Sequence, residues 1–190
     1  QMCIRDSGYT DPRDNHFAQL SYDYTLAKTS AGNRSFLQQL PQWARFQCGD
    51  FEVLACHGSP RRVNEFLWES NSSDAFLNRL LDQFDCDVLL CTHTGIKWHR
   101  ALGGRRHVIN VGALGRPEND GTQNVWYTSL RPEGSELKVD FVPVEYEAER
   151  LAFEMRREGL PDEFIETTLT GWWTTCLEVL PARERSKGIH

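Results

Sequence analysis

The sequence predicts an α/β fold in which helices pack on a largely buried sheet, and three observations carry this prediction. Short apolar runs at residues 51–56, 87–91 and 106–111 have the composition of buried strands. Each run ends in a loop of small and polar residues. Residues 73–84, between the first two runs, place apolar side chains three and four positions apart, which is the spacing of one helical face.

Two helices are predicted ahead of the first strand. The first begins at the pair Asp11-Pro12, a favourable helix entry, and ends at Lys28. Its expected apolar face comprises Phe17, Leu20, Tyr24 and Ala27. The second helix covers Ala31–Leu40 and stops before Pro41, because proline disfavours helical geometry in the residue that precedes it.

A hairpin and a third helix come next. Strands are predicted at Trp43–Cys48 and Phe51–Cys56, joined by the turn dipeptide Gly49-Asp50. The second strand ends abruptly at His57-Gly58-Ser59-Pro60. The third helix covers Ser73–Phe84, with Ser73 or Asp74 available as its cap.

One of the later predicted strands also ends in a loop that contains a histidine. The strand Asp87–Cys91 ends at Thr92-His93-Thr94-Gly95, and the strand Arg106–Val111 leads into Gly112-Ala113-Leu114-Gly115. The remaining predicted elements are two strands joined by Pro132-Glu133-Gly134 and two helices, at Asn124–Leu130, Glu136–Tyr146, Glu147–Glu158 and Pro161–Thr170.

Length and composition limit the possible function classes. The 190 residues suit one domain, and 21 basic against 27 acidic residues give a net charge of −6, so no basic surface for nucleic acid is expected. No apolar run approaches the roughly 20 residues that cross a bilayer, and the start has no signal-peptide pattern, so we expect a cytoplasmic protein. The six cysteines are too sparse for a disulfide framework and are expected as reduced thiols.

Two histidines stand at matching positions, directly after two predicted strands. Ligands of layered α/β folds bind beyond the carboxyl ends of strands, so His57 and His93 are expected to converge there. Imidazole is a common ligand of Zn, Mn, Fe or Ni, which favours a metal site. Each histidine alone could instead only satisfy backbone groups. A structural zinc site formed with Cys56 and Cys91 is disfavoured, since adjacent strand residues point to opposite faces.

Arginines and other polar residues offer weaker candidates. Arg61 and Arg62 follow the first histidine loop and could clamp phosphate oxygens, although solvated surface arginines are an equal alternative. Ser59 lacks the sequence context of a nucleophilic serine. The other histidines are expected at the surface or in ordinary packing; they are His16, His99, His107 and His190.

Together the three loops resemble the C-terminal half of a calcineurin-like metallophosphoesterase, over about residues 8–145. The resemblance implies a four-layer sandwich of mixed β-sheets flanked by helices, with two divalent metal ions. It implies that His57 and His93 are metal ligands and that Asn110 lies near the substrate. The second histidine of the family's Gly-His-x-His loop would fall at Gly95, which cannot coordinate.

The family's upstream Asp-x-His, Gly-Asp and Gly-Asn motifs have no counterpart before the helix at Asp11. We therefore expect an N-terminally truncated domain that is inactive alone, with residues 1–7 a non-native junction, 8–145 the phosphoesterase portion and 146–190 a helical extension packed on it. The expected reaction of the full-length form is hydrolysis of a phosphomonoester, phosphodiester or nucleotide pyrophosphate bond, with a phosphorylated small molecule or nucleotide as partner. No side chain is assigned as its catalytic acid or base. The alternatives are a non-catalytic phosphoesterase-like module and a plain α/β domain whose histidines only satisfy the backbone.

Overall fold

The structure is a computed structural model that describes residues 10–186. The expected junction at residues 1–7 and His190 lie outside the described residues. Elements in chain order are α1 (Pro12–Lys28), α2 (Ala31–Gln39), β1 (Trp43–Cys48), β2 (Phe51–Cys56), α3 (Asp74–Gln83), β3 (Val88–Cys91), β4 (Trp98–Ala101), β5 (His107–Asn110), β6 (Val125–Glu133), β7 (Glu136–Val144), α4 (Ala148–Arg157), α5 (Asp162–Thr170) and α6 (Ala182–Arg185).

Five strands form one mixed sheet in the order β1-β2-β3-β5-β4. The three central strands, β2, β3 and β5, run parallel, whereas β1 and β4 pair antiparallel at the two edges. The predicted mixed sheet flanked by helices is therefore confirmed. Because parallel strands end at the same edge, the loops after β2, β3 and β5 emerge side by side.

Side chains that alternate along the central strands build two separate cores. Leu54 and Leu89 face α3, whose Leu77, Leu80 and Leu81 are buried against them. On the opposite face, the hairpin formed by β6 and β7 buries Leu137 against an apolar set comprising Phe51, Val53, Val88 and Ile109. Helix α3, the five-stranded sheet and the hairpin thus lie in successive layers. Successive side chains of a strand point to opposite faces, so the apolar central strands need a covering layer on each side.

Strand β4 was not predicted, because it is short and only one of its side chains, that of Trp98, is buried. It forms by antiparallel pairing with β5, which places His99 opposite Ile109. The pairing also brings the Nε2 atom of His99 to 2.9 Å from the Nδ1 atom of His107. Pairing with a neighbour thus defines this edge strand, rather than its own apolar content.

Helix α1 starts as expected, with the Asp11 side chain accepting a hydrogen bond from the Arg13 N–H. Its predicted apolar face is only partly correct, because Phe17 is buried while Leu20 and Ala27 are exposed. The other buried residue of the helix is Asp14, whose carboxylate accepts hydrogen bonds from the backbone N–H groups of Cys176 and Glu178. Those bonds tie the beginning of α1 to the C-terminal segment, and the rest of the helix is more exposed.

Residues 171–181, after α5, form an irregular segment rather than helix. Its Trp173 is buried with Trp68 and Leu180 and donates its indole N–H to the Pro117 carbonyl at 2.7 Å. In the described range 10–186, none of the helices is both long enough and apolar enough to span a membrane.

Candidate functional site

The two strand-end histidines meet at the carboxyl edge of the sheet. Strands β2 and β3 are parallel neighbours, and beyond them the Thr92 N–H donates to the His57 carbonyl at 2.7 Å. The loops are thereby joined directly, and the Nε2 atom of His57 lies 3.0 Å from the Nδ1 atom of His93. The convergence expected from the sequence is present.

Tight packing and one buried hydroxyl shape the loop after β2. A Cβ on Gly58 would lie 2.5 Å from the Val63 carbonyl oxygen, so only glycine fits there. Ser59 is fully buried, and its Oγ atom accepts hydrogen bonds from the N–H groups of Arg61 and Arg62 at 3.1 and 3.2 Å. The hydroxyl itself donates to Glu65. Ser59 therefore organises the turn that follows His57, as a serine turn does.

Asn110, at the end of β5, holds the loop that carries His93. Its side chain is fully buried, donates through Nδ2 to the Thr92 carbonyl at 3.0 Å, and accepts from the Gly112 N–H at 3.2 Å. Thr92 in turn donates its hydroxyl to the Gly112 carbonyl at 2.6 Å. The structure thus places Asn110 beneath the site, with both ends of its amide bonded to backbone.

The environment keeps both imidazoles neutral at pH 7. Desolvation, followed by the charge that His57 would carry, lowers the pKa of His93 to about 4, and the nearby Asn64 backbone offsets only part of this. The Phe66 ring contributes to that burial, with its centroid 4.3 Å from that of His93. Desolvation also lowers the pKa of His57, although its side chain is exposed on one side. Neutral imidazoles keep the lone pairs that metal ligands need.

The geometry of this pair fits two ligands of a single ion. The facing nitrogens lie at hydrogen-bond distance, 3.0 Å, so one ring can donate to the other. Two nitrogens bound to one ion at about 2.1 Å would be about 3.0 Å apart at right angles and about 3.4 Å apart at a tetrahedral angle, so the same pair can serve as two ligands after a small adjustment. The Nε2 atom of His93 is also buried without a hydrogen-bond partner among residues 10–186. In the same range, no group of three His, Cys, Asp or Glu side chains could hold a metal ion. The described residues thus supply two donors and not a complete centre.

Both cysteines of the zinc alternative lie away from the histidines. Cys91 belongs to the core beneath α3, and Cys56 packs against that core. Burial raises the pKa of Cys56 to about 12 and that of Cys91 well above its ordinary value. These thiols are protonated packing groups.

The structure places the two candidate phosphate-binding arginines, Arg61 and Arg62, outside the cavity beside the histidines. Arg61 forms an ion pair with Glu65 and lies over the Phe76 ring at 5.0 Å, and Arg62 is exposed. Neither lines the cavity beside the histidines, but Arg116 does. No role was predicted for Arg116, which follows Gly115 in the third loop. Its place in a loop that follows a parallel strand could have identified it.

A cavity of about 470 Å³ opens beside the two histidines. Its walls come from α1, α4, α5 and the loops at 115–117 and 175–176; they comprise Phe17, Ala18, Ser21, His57, His93, Gly115, Arg116, Pro117, Met155, Phe164, Thr167, Thr168, Thr175 and Cys176. Since most of these residues are distant in sequence, periodicity could not reveal the cavity.

No family model matches the chain, and no curated protein matches it. Among solved structures, it is similar to a metallophosphoesterase from Sphaerobacter thermophilus, with a TM-score of 0.63 and 23% identity over 89% of this chain and 72% of that one. It is also similar to a hypothetical protein from Pyrococcus horikoshii OT3, with a TM-score of 0.70 and 20% identity over 89% of this chain and 68% of that one. At these identities the likeness concerns the fold.

Proposed function

We propose that this chain, which has the metallophosphoesterase fold, is part of a metal-dependent phosphoesterase. In this proposal, His57 and His93 provide two nitrogen ligands for a divalent ion. The observation that carries it is the 3.0 Å separation of two neutral imidazole nitrogens at the carboxyl edge of the sheet. When bound, such an ion supplies a Lewis acid for phosphoryl oxygens and activates water.

The chain's own residues position this chemistry. Thr92 and Asn110 fix the His93 loop through backbone hydrogen bonds, so the imidazole does not have to be ordered when a ligand arrives. Arg116 contributes a cation to the adjoining cavity, where a phosphate oxygen can accept its hydrogen bonds. The substrates proposed are phosphomonoesters, phosphodiesters or nucleotide pyrophosphates, with Mn, Fe, Zn or Ni as the ion.

Two imidazoles alone bind metal weakly, so the proposal requires further donors that residues 10–186 do not supply. The reading frame upstream of residue 1 provides one test. Asp-x-His, Gly-Asp and Gly-Asn motifs are expected there, and an upstream sequence without them contradicts the proposal.

Metal binding to the protein extended by that upstream sequence provides a second test. In a Co²⁺ titration followed by calorimetry, His57→Gln should weaken binding at least tenfold, which corresponds to about 1.4 kcal/mol. The matched control is His99→Gln, because His99 and His107 form a second pair with a nitrogen separation of 2.9 Å. Equal losses in the two variants would contradict the assignment of His57.

A non-catalytic binding module is the second candidate, and a specific observation favours it. Gly95 stands where the family resemblance places another histidine ligand, and its backbone has φ of 70°. The two candidates differ in turnover: metal binding together with hydrolysis of bis-p-nitrophenyl phosphate by the upstream-extended protein would reject the second.

A further inference from the structure

We infer that the cavity beside the histidines binds phosphate monoesters of an aromatic alcohol, with the phosphate against Arg116 and the ring against the apolar wall formed by α1, α4 and α5. This inference rests on the proposed function for any chemistry at the histidines. The binding itself is argued from the walls, the charge and the rigidity of the cavity.

The walls suit a flat apolar group. A volume of about 470 Å³ falls within the range of roughly 300–1,000 Å³ typical of sites for small organic ligands. Phe17 and Phe164, whose ring centroids are 5.7 Å apart, line it together with Met155. Inorganic phosphate would leave most of this apolar wall against water, whereas an aromatic ester would cover it.

The charge of the cavity suits an anion. Among the lining residues that the structure describes, Arg116 is the only arginine or lysine, and none is aspartate or glutamate. Its guanidinium stacks on Trp173 at 3.9 Å and donates through Nη2 to the Thr175 carbonyl at 3.0 Å. A guanidinium has five N–H donors, so donors remain for phosphate oxygens after that bond is made.

Rigidity comes from hydrogen bonds within the walls. Asp14, buried in α1, accepts the Cys176 N–H at 2.7 Å and so fixes the segment that carries Thr175. Thr174 donates its hydroxyl to the Glu163 carbonyl at 2.8 Å, which ties the same segment to α5. Thr168, which also lines the cavity, donates its hydroxyl to the Phe164 carbonyl within α5 at 3.0 Å, so this donor is already occupied. The cavity is therefore formed before a ligand enters, which lowers the entropic cost of binding.

Calorimetry on the full chain in the presence of EDTA tests the inference without metal or turnover. We expect 1-naphthyl phosphate to bind at least tenfold more tightly than inorganic phosphate. Arg116→Gln should weaken 1-naphthyl phosphate at least tenfold while leaving 1-naphthol unchanged. Equal affinities for 1-naphthyl phosphate and inorganic phosphate would overturn the inference.

A filling substitution keeps the test independent of Arg116. Ser21 lines the cavity from α1, so Ser21→Trp should abolish 1-naphthyl phosphate binding, whereas Gln19→Trp, at an exposed position of the same helix, should not. Identical affinities in these two folded variants would overturn the inference. If the upstream-extended protein does not bind Co²⁺ while 1-naphthyl phosphate binding is intact, that result counts against the proposed function and supports this inference.

Discussion

A Cβ atom on Gly95 would lie 3.3 Å from the Cζ2 atom of Trp173. The buried indole therefore stands next to the place from which the second loop histidine of the resembled family would project. Gly95 also has φ of 70°, a left-handed backbone conformation that residues other than glycine seldom adopt. Glycine at position 95 therefore leaves room for Trp173 of the C-terminal segment, where a histidine would crowd it.

Restoring a histidine at this position should destabilise the protein rather than complete a metal site. For Gly95→His we expect a loss of about 2–5 kcal/mol in unfolding free energy, from backbone strain and displacement of Trp173. Gly104→His is the control, because Gly104 has φ of 57° with nothing within 4 Å of its Cβ position and should lose only the strain component. Urea denaturation and Co²⁺ titration measure both effects; tighter Co²⁺ binding at unchanged stability would contradict this account.

The buried His93 should make stability depend on pH. Its folded pKa is lowered from 6.5 to about 4, so the unfolded chain binds a proton between these values that the folded protein does not. The contribution of neutral His93 to the unfolding free energy is therefore fully present above pH 6.5. It is lost as the pH falls toward 4, and the loss is at most about 3 kcal/mol.

His93→Asn removes this titration, and asparagine tolerates the left-handed backbone of residue 93, where φ is 67°. Urea unfolding in EDTA at pH 7.5 and pH 5 should show a smaller pH dependence in His93→Asn than in wild type. His16→Asn, on the exposed side of α1, is the control and should keep the wild-type dependence. The same pH dependence in both variants would reject the assignment to His93.

Asn110→Ala should weaken both the fold and metal binding. It leaves the Thr92 carbonyl and the Gly112 N–H without their buried partner, at a cost of about 2–4 kcal/mol. Because Thr92 precedes His93, the loss also frees the histidine loop, and Co²⁺ affinity should fall. The control is Asn33→Ala, at an exposed position of helix α2, which should cost less than about 1 kcal/mol. Unchanged Co²⁺ affinity in a folded Asn110→Ala protein would show that Asn110 does not position the loop that carries His93.

The ion pair of Lys97 and Glu118 connects β4 to the loop that carries Arg116. Glu118 is buried and accepts the Lys97 backbone N–H at 2.8 Å as well as its ammonium group, which lies over the Trp126 ring at 3.6 Å. Lys97→Met should cost about 3 kcal/mol, because it leaves a buried carboxylate unpaired. Adding Glu118→Gln should recover part of that loss, since the buried charge is then gone. A double variant as unstable as the sum of the single variants, in urea denaturation, would show that the two groups are not coupled.

Much of the fold could be predicted because its elements depend on local pattern. The strands β1 and β2 have the predicted bounds, and α3 and the hairpin of β6 and β7 lie within one to three residues of them. Strand β4 could not be found in this way, since its Trp98 is held by pairing and packing that lie outside its own four residues.

The sequence by itself determined which loops end the parallel strands, and therefore that His57 and His93 would meet. That follows because two apolar runs joined through a helix form a unit whose strands run parallel, so that both strands end at the same edge of the sheet. Only the tertiary structure decided that Arg116, rather than Arg61 or Arg62, faces the cavity, and that Trp173 packs beside Gly95. Those outcomes depend on how the C-terminal segment packs across α1, through Asp14, and no periodicity within either segment specifies a contact between residues so far apart.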